Sequence, residues 1–153
     1  MLFGLQISVA DSRTPVDVCE GIRRLFNDEE LSGWKCPSCN VVGPGSRSSS
    51  VTAFPELLIV QIKRFAWCSN SLVKLNNDVF CPLSNLSVSP NVKYNLVSSI
   101  NHHGSVSSGH YSAYAMVNNR WFGFDDRKSF ALVNEEVVNS SSYLLVFRKT
   151  TGN

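Results

Sequence analysis

Short apolar stretches of strand length dominate the hydrophobic pattern of this chain, and helical spacing occurs in only one clear place. Leu5 to Val9 (Leu-Gln-Ile-Ser-Val) alternates apolar and polar positions and predicts a strand. A helix start follows, with Thr14 as cap, Pro15 in the first helical position and Asp17 against the N-terminal dipole. Val18, Ile22, Leu25 and Phe26 then recur at helical spacing, and Cys19 is expected buried on the same apolar face. Asn27-Asp28-Glu29-Glu30 ends or restarts this helix, and Gly33 closes the region. Val41 to Ser50 is rich in Gly, Ser and Pro and predicts a loop. Leu57 to Ile62 is an almost continuous apolar run, the pattern of a strand covered on both faces. Lys63-Arg64-Phe65 ends it, Ser69 to Asn77 predicts a polar turn region, and Leu83 to Pro90 a weak strand or loop.

In the second half, Tyr94 to Ile100 predicts a strand, and Asn101 to Gly109 a flexible loop rich in Gly, Ser and His. His110 to Val117 and Arg120 to Asp125 predict two strands joined by a tight Asn118-Asn119 turn. Phe130 to Val133 is a short segment, Asn134 to Val138 a helical turn capped by Asn134, and Ser142 to Arg148 a last strand. The sum is a mostly antiparallel, β-rich α+β fold without repeats or a dividing linker.

Length and composition narrow the functional classes. The 153 residues suit one domain with a modest core, and 43% hydrophobic against 17% charged residues is globular. A net charge of +2 with scattered basic residues argues against nucleic acid or an anionic membrane as partner. No apolar run approaches the ~20 residues of a membrane span, and Met1 to Leu5 lacks the features of a signal peptide. Five cysteines, an odd number with one close pair, do not form a secreted disulfide framework. An intracellular setting, cytoplasm or nucleus, is expected.

Two features carry chemistry. His110 follows Gly109 at the junction of the predicted loop and strand, and Asp125 ends the returning strand. A general base needs one free imidazole nitrogen and a partner that fixes the other, and this pair can supply both. Strand alternation places Asp125 and Asp126 on opposite faces, so that only one faces His110. Cys36-Pro37-Ser38-Cys39 has the spacing of a zinc knuckle. With no second such motif, and with His102 and His103 pointing apart, it is either half of a zinc site or a pair of free thiols. Cys68 and Cys81 lack the Gly-rich helix-start setting that lowers a thiol pKa, and no Gly-x-Ser-x-Gly elbow or phosphate-binding glycine loop occurs.

Taken together, several motifs resemble the ubiquitin-specific proteases, the papain-like cysteine deubiquitinases. Gly109-His110-Tyr111-x-x-Tyr114, Trp121-x-x-Phe124-Asp125-Asp126 and Tyr143-Leu144-Leu145-x-Phe147 resemble the family's histidine box in order and spacing. Phe54 to Phe65 is similar to the strand upstream of it, and Trp34-x-Cys36-x-x-Cys39 to the second zinc knuckle of the fingers. The resemblance implies a part of a papain-like peptidase fold over residues 1–150, fingers about 1–50 and palm about 51–150. It implies His110 as the base that activates a cysteine thiol and Asp125 as the residue that orients it. Gly109 and Tyr111 would line the cleft for the C-terminal tail of ubiquitin, bordered by Asn101 to Ser108. Ubiquitin or ubiquitinated proteins would be the partners, with no cofactor needed for catalysis and a structural zinc at Cys36 and Cys39. Nothing in the chain resembles the family's cysteine box, its companion oxyanion residue or the first zinc knuckle. The chain is therefore expected to be inactive alone, working within a longer deubiquitinase or serving as an inactive ubiquitin-binding or scaffold protein. Lost cover over Leu58 to Ile62 implies marginal stability for the isolated chain.

Overall fold

A computed structural model describes residues 2–9 and 14–150 of the chain. Its elements are β1 (Leu2–Ser8), β2 (Val16–Asp17), α1 (Val18–Leu25), β3 (Glu29–Lys35), β4 (Val42–Arg47), β5 (Leu57–Lys63), β6 (Phe65–Cys68) and β7 (Ser71–Lys74). They continue with β8 (Val79–Phe80), β9 (Leu86–Ser89), β10 (Val92–Gly104), β11 (Gly109–Val117), β12 (Arg120–Asp125), β13 (Lys128–Leu132) and β14 (Ser142–Lys149). An eight-stranded sheet in the order β1-β5-β14-β10-β11-β12-β13, with β9 beside β10, organises the fold. Its pairings are antiparallel except β1 with β5, so the sheet is mixed and the strand-rich α+β expectation holds.

The apolar run Leu57 to Ile62 becomes the interior strand β5, second from the sheet edge, between β1 and β14. Leu58, Val60 and Ile62 are buried on one face, while Leu57, Ile59 and Gln61 are half-buried on the other. One face is thus fully covered by α1 and the loops, where Val18, Ile22, Leu86, Tyr94, Leu96, Leu145 and Phe147 join the same core. The other face is covered only in part, short of the two-sided cover that the pattern predicts.

Several elements differ from their predicted form, most of them because pairing overrides local preference. Val16-Asp17 pairs in parallel with Val79-Phe80, so the backbone stays extended and the helix begins later. Asp17, not Thr14, is the cap, its Oδ1 accepting the Glu20 N–H at 3.0 Å. Val18 and Ile22, one turn apart, are buried in the core and Phe26 packs against it in part, while Leu25 and Cys19 lie exposed. Glu29 to Lys35 is a strand rather than a helix end, and Val42 to Arg47 pairs with it instead of forming a loop. The region predicted as a strand end and polar turn is the β6–β7 hairpin, turned by Ser69 and Asn70 at φ 47° and 63°. Asn134 lies inside a short 3-10 turn, where Glu136 Oε2 accepts the Val133 N–H at 3.1 Å.

At the end of β5 the chain buries a charge. Arg64 is fully buried. Its Nε donates to Ser142 O at 2.6 Å, and Nη1 donates to Leu75 O at 2.9 Å and Asn77 O at 3.1 Å. Burial pushes its pKa down to about 10, which still leaves it charged at neutral pH. The guanidinium thereby joins the segments that follow β5, β7 and the turn before β14. No helix among the described residues is long and apolar enough to cross a membrane.

Candidate active site

β11 and β12 are joined by the predicted Asn118-Asn119 turn, both residues at positive φ, as a two-residue hairpin requires. Ala113 lies opposite Phe124, so Ser112 and Asp125 share the other face, and His110 joins them two residues earlier. His110 Nε2 and Asp125 Oδ1 form a hydrogen bond. A carboxylate only accepts, so Nε2 donates and the lone pair falls on Nδ1. Both side chains are about half exposed, at 47% and 45%. The bond to Asp125 is the main reason the His110 pKa lies above its ordinary 6.5; the charges of Asp125 and Asp126 add to it and desolvation opposes it. The arrangement can act as an oriented base on a two-stranded hairpin, with the Nδ1 lone pair left for a reacting group.

Asp126 departs from the alternation argument. Its φ of 50° takes the chain out of the extended path into the turn to β13. The donor atoms of His110, Asp125 and Asp126 consequently lie within 4.8 Å of one another. The turn Asp125 to Lys128 lines a cavity of about 620 Å³ beside the pair.

The predicted loop Asn101 to Gly109 is mostly strand. His102 pairs with Tyr111 and His103 with His110, leaving only residues 105–108 as a turn, closed by Ser105 N–H to Ser108 O at 2.7 Å. The two histidines do point apart. His103 shares the face of His110, and its Nε2 lies 3.0 Å from Ser112 Oγ. His102 is buried on the opposite face against Phe65, Tyr111 and Tyr143, its ring centroid 4.8 Å from that of Tyr111. Burial holds the His102 pKa below its ordinary value, and the Lys74 charge adds to this. Tyr111 is therefore on the other side of the strand from His110, half exposed, and the two bracket the strand end.

Gly109 sits between them, and its lack of a side chain has a visible cause. A Cβ there would lie 2.2 Å from His102 Nε2 and 2.9 Å from His103 O. Gly109→Ala is expected to destabilise the chain by about 1–3 kcal/mol, because neither the enclosed ring nor the strand can yield freely. A urea titration checks this, and an unchanged midpoint would contradict the packing argument.

Cys36 and Cys39 lie in the tight turn of the β3–β4 hairpin, where Asn40 N–H donates to Cys36 O at 2.9 Å. Backbone N–H groups of Cys39 and then Ser38 directed at the Cys36 sulfur lower its pKa. Such a donor set suits two corners of a tetrahedral metal site. Among the described residues no further Cys, His, Asp or Glu forms a three-donor group with them.

Comparison with known proteins is consistent along the chain. The family model described as ubiquitin carboxyl-terminal hydrolase matches residues 1–147. Ubiquitin carboxyl-terminal hydrolase 43 of Mus musculus is 30% identical over 166 residues, covering 85% of this chain and 15% of the relative. Ubiquitin carboxyl-terminal hydrolase 15 of Rattus norvegicus is 30% identical over 139 residues, covering 82% of this chain and 15% of the relative. Among solved structures, a chain of the yeast SAGA DUB module superposes with a TM-score of 0.77 at 26% identity, over 98% of this chain and 36% of that one. A chain of the SAGA DUB module bound to monoubiquitin gives 0.75 at 25% identity, over 98% of this chain and 36% of that one. The present chain thus spans only a small part of the length of these relatives. By its sequence and by the sheet that carries His110 and Asp125, the chain belongs to the ubiquitin carboxyl-terminal hydrolase family.

Proposed function

We propose that the chain is the histidine-bearing part of a thiol-dependent deubiquitinase, which in its complete form hydrolyses the bond after the C-terminal glycine of ubiquitin. The hydrogen bond from His110 Nε2 to Asp125 carries this reading. In the reaction, His110 Nδ1 takes the proton of a cysteine thiol, and Asp125 stabilises the imidazolium that results. The thiolate attacks the carbonyl of the terminal glycine, and the imidazolium returns its proton to the leaving amine. Water, deprotonated at the same nitrogen, then releases the acyl group. Gly109 and Tyr111 are assigned to the wall of the cleft for the ubiquitin tail, and ubiquitin is the partner.

The nucleophile is assigned to a segment other than this chain. Burial pushes the Cys81 thiol far above its ordinary pKa, and partial desolvation of the sulfur together with the Asp17 charge raises that of Cys19. Cys36 and Cys39 occupy the hairpin turn, where we assign them to half of a structural zinc site completed from elsewhere in the full protein. The experiment is hydrolysis of a ubiquitin-fluorophore conjugate by this chain alone. No turnover is expected, while turnover that disappears in His110→Ala would overturn the assignment of the nucleophile. A catalytically inactive ubiquitin-binding protein is the alternative, and turnover by the complete polypeptide decides between the two.

A further inference from the structure

From the contacts of Lys74 we infer that it is a positioning residue for His110, locking the root of the β10–β11 hairpin in place of a missing strand. β14 begins at Ser142, opposite Asn101, so β10 runs on through His102, His103 and Gly104 without that neighbour. In an antiparallel strand the N–H and C=O of one residue point to the same side. The His102 N–H uses Ser141 O, at 2.9 Å, as its partner on this side. The carbonyls of His102 and Gly104 face the gap, and Lys74 Nζ donates to both, at 2.7 Å and 3.1 Å. The ammonium does here what the next strand does elsewhere.

Two further observations tie this contact to the base. Gly104 has φ +99°, and a Cβ on it would meet Ser108 O at 2.5 Å, so the strand end and the 105–108 turn are tightly fitted. That turn leads directly into Gly109 and His110. In addition, Phe65 is the register partner of Lys74 in the β6–β7 hairpin, and its ring packs edge-on against His102 with centroids 5.5 Å apart. The hairpin thus grips β10 twice, by a ring on the His102 side chain and by an ammonium on its carbonyl. Among the described residues no carboxylate pairs with Lys74. Burial and the nearby Arg64 lower its pKa. Its partners are carbonyls, the arrangement of a group kept for geometry.

The test compares Lys74→Met, which keeps the length and removes the donors, with the parent chain by amide hydrogen exchange and by NMR of the His110 ring. The expected result is an increase of about tenfold or more in exchange at Ser105 and from Gly109 to Ser112, with β5 and β14 unchanged. Broadening of the His110 Nε2–H signal is expected alongside it. Unchanged exchange at these amides would overturn the proposal, as would an equal rise across the whole sheet, which would make Lys74 merely structural. If Lys74→Met does not fold, Lys74→Arg decides: protection kept, or lost only at Ser105 and from Gly109 to Ser112, supports the role, and an equal rise in exchange across the whole sheet overturns it. In the complete enzyme, Lys74→Met is expected to lower kcat about ten- to a hundred-fold with KM little changed. This kinetic arm rests on the deubiquitinase reading and the exchange arm does not, so their failures are distinguishable.

Discussion

Arg64→Ala is expected to leave the chain largely unfolded under conditions where the parent is folded. The side chain is fully buried, and three carbonyls, those of Ser142, Leu75 and Asn77, receive its N–H groups within 3.1 Å. Removing the guanidinium leaves those acceptors buried without a partner, at about 1–3 kcal/mol for each that water cannot reach. A cavity the size of the lost side chain adds a further penalty. The total is expected to exceed roughly 4 kcal/mol, against the ~5–15 kcal/mol by which a domain is ordinarily stable. The cover of β5 is complete on one face only, so this chain is expected toward the lower end of that range. Arg64→Lys should recover little, because an ammonium cannot reproduce the planar fork that reaches carbonyls on separate segments. Circular dichroism during urea titration reads the effect, and an alanine variant with a midpoint close to the parent's would contradict it.

His110→Ala is expected to lower kcat of the complete enzyme by about a thousand-fold or more, the scale seen when the base of a nucleophile-base-acid triad is removed. Asp125→Asn should act differently. The amide oxygen can still accept the Nε2 proton, so the ring keeps its orientation, but the charge that favours the imidazolium is gone. The His110 pKa, now above 6.5 chiefly through the Asp125 bond, is expected to fall in the Asn variant. The acid limb of the pH profile should move with it. The sign for stability follows from the same shift. A histidine whose folded pKa is raised lends its full stabilisation below the unfolded value and loses it as pH rises through the folded one. Because the pair is half exposed, that stabilisation is small, and the catalytic effect is the one to measure. An NMR titration of His110 in this chain, parent against Asp125→Asn, checks the sign without any turnover. A midpoint unmoved by the substitution would remove Asp125 from its role.

The strand pairs nearest the site were legible because their signals are local. His110 to Val117, Asn118-Asn119 and Arg120 to Asp125 form a hairpin whose turn residues tolerate positive φ and whose apolar positions suit strands. The alternation rule also separated His102 from His103. It failed at Asp126, because one residue at φ 50° is enough to swing a carboxylate back toward the face it should have left. The predicted loop before His110 failed for the opposite reason. Gly, Ser and His are weak strand formers, but Asn101 to Gly104 lie in register with Gly109 to Ser112, and the ladder outweighs their preference. The β3–β4 hairpin was hidden in the same way by its glycines and proline.

The sequence by itself determined that the chain is β-rich and of the ubiquitin carboxyl-terminal hydrolase type, and it singled out His110 and Asp125 as the candidate pair. Motif order and the short-range periodicity of strands are properties of neighbouring residues, and no folding is needed to read them. Only the tertiary structure decided why Gly109 must be glycine, which carbonyls Arg64 and Lys74 serve, and that Asp126 joins the histidine. The two cations depend on groups far apart in the chain: Arg64 reaches Ser142, and Lys74 reaches His102 and Gly104. A buried cation or an imposed glycine has no local signature, because the desolvation and the steric limit that define it arise only when distant strands close around it.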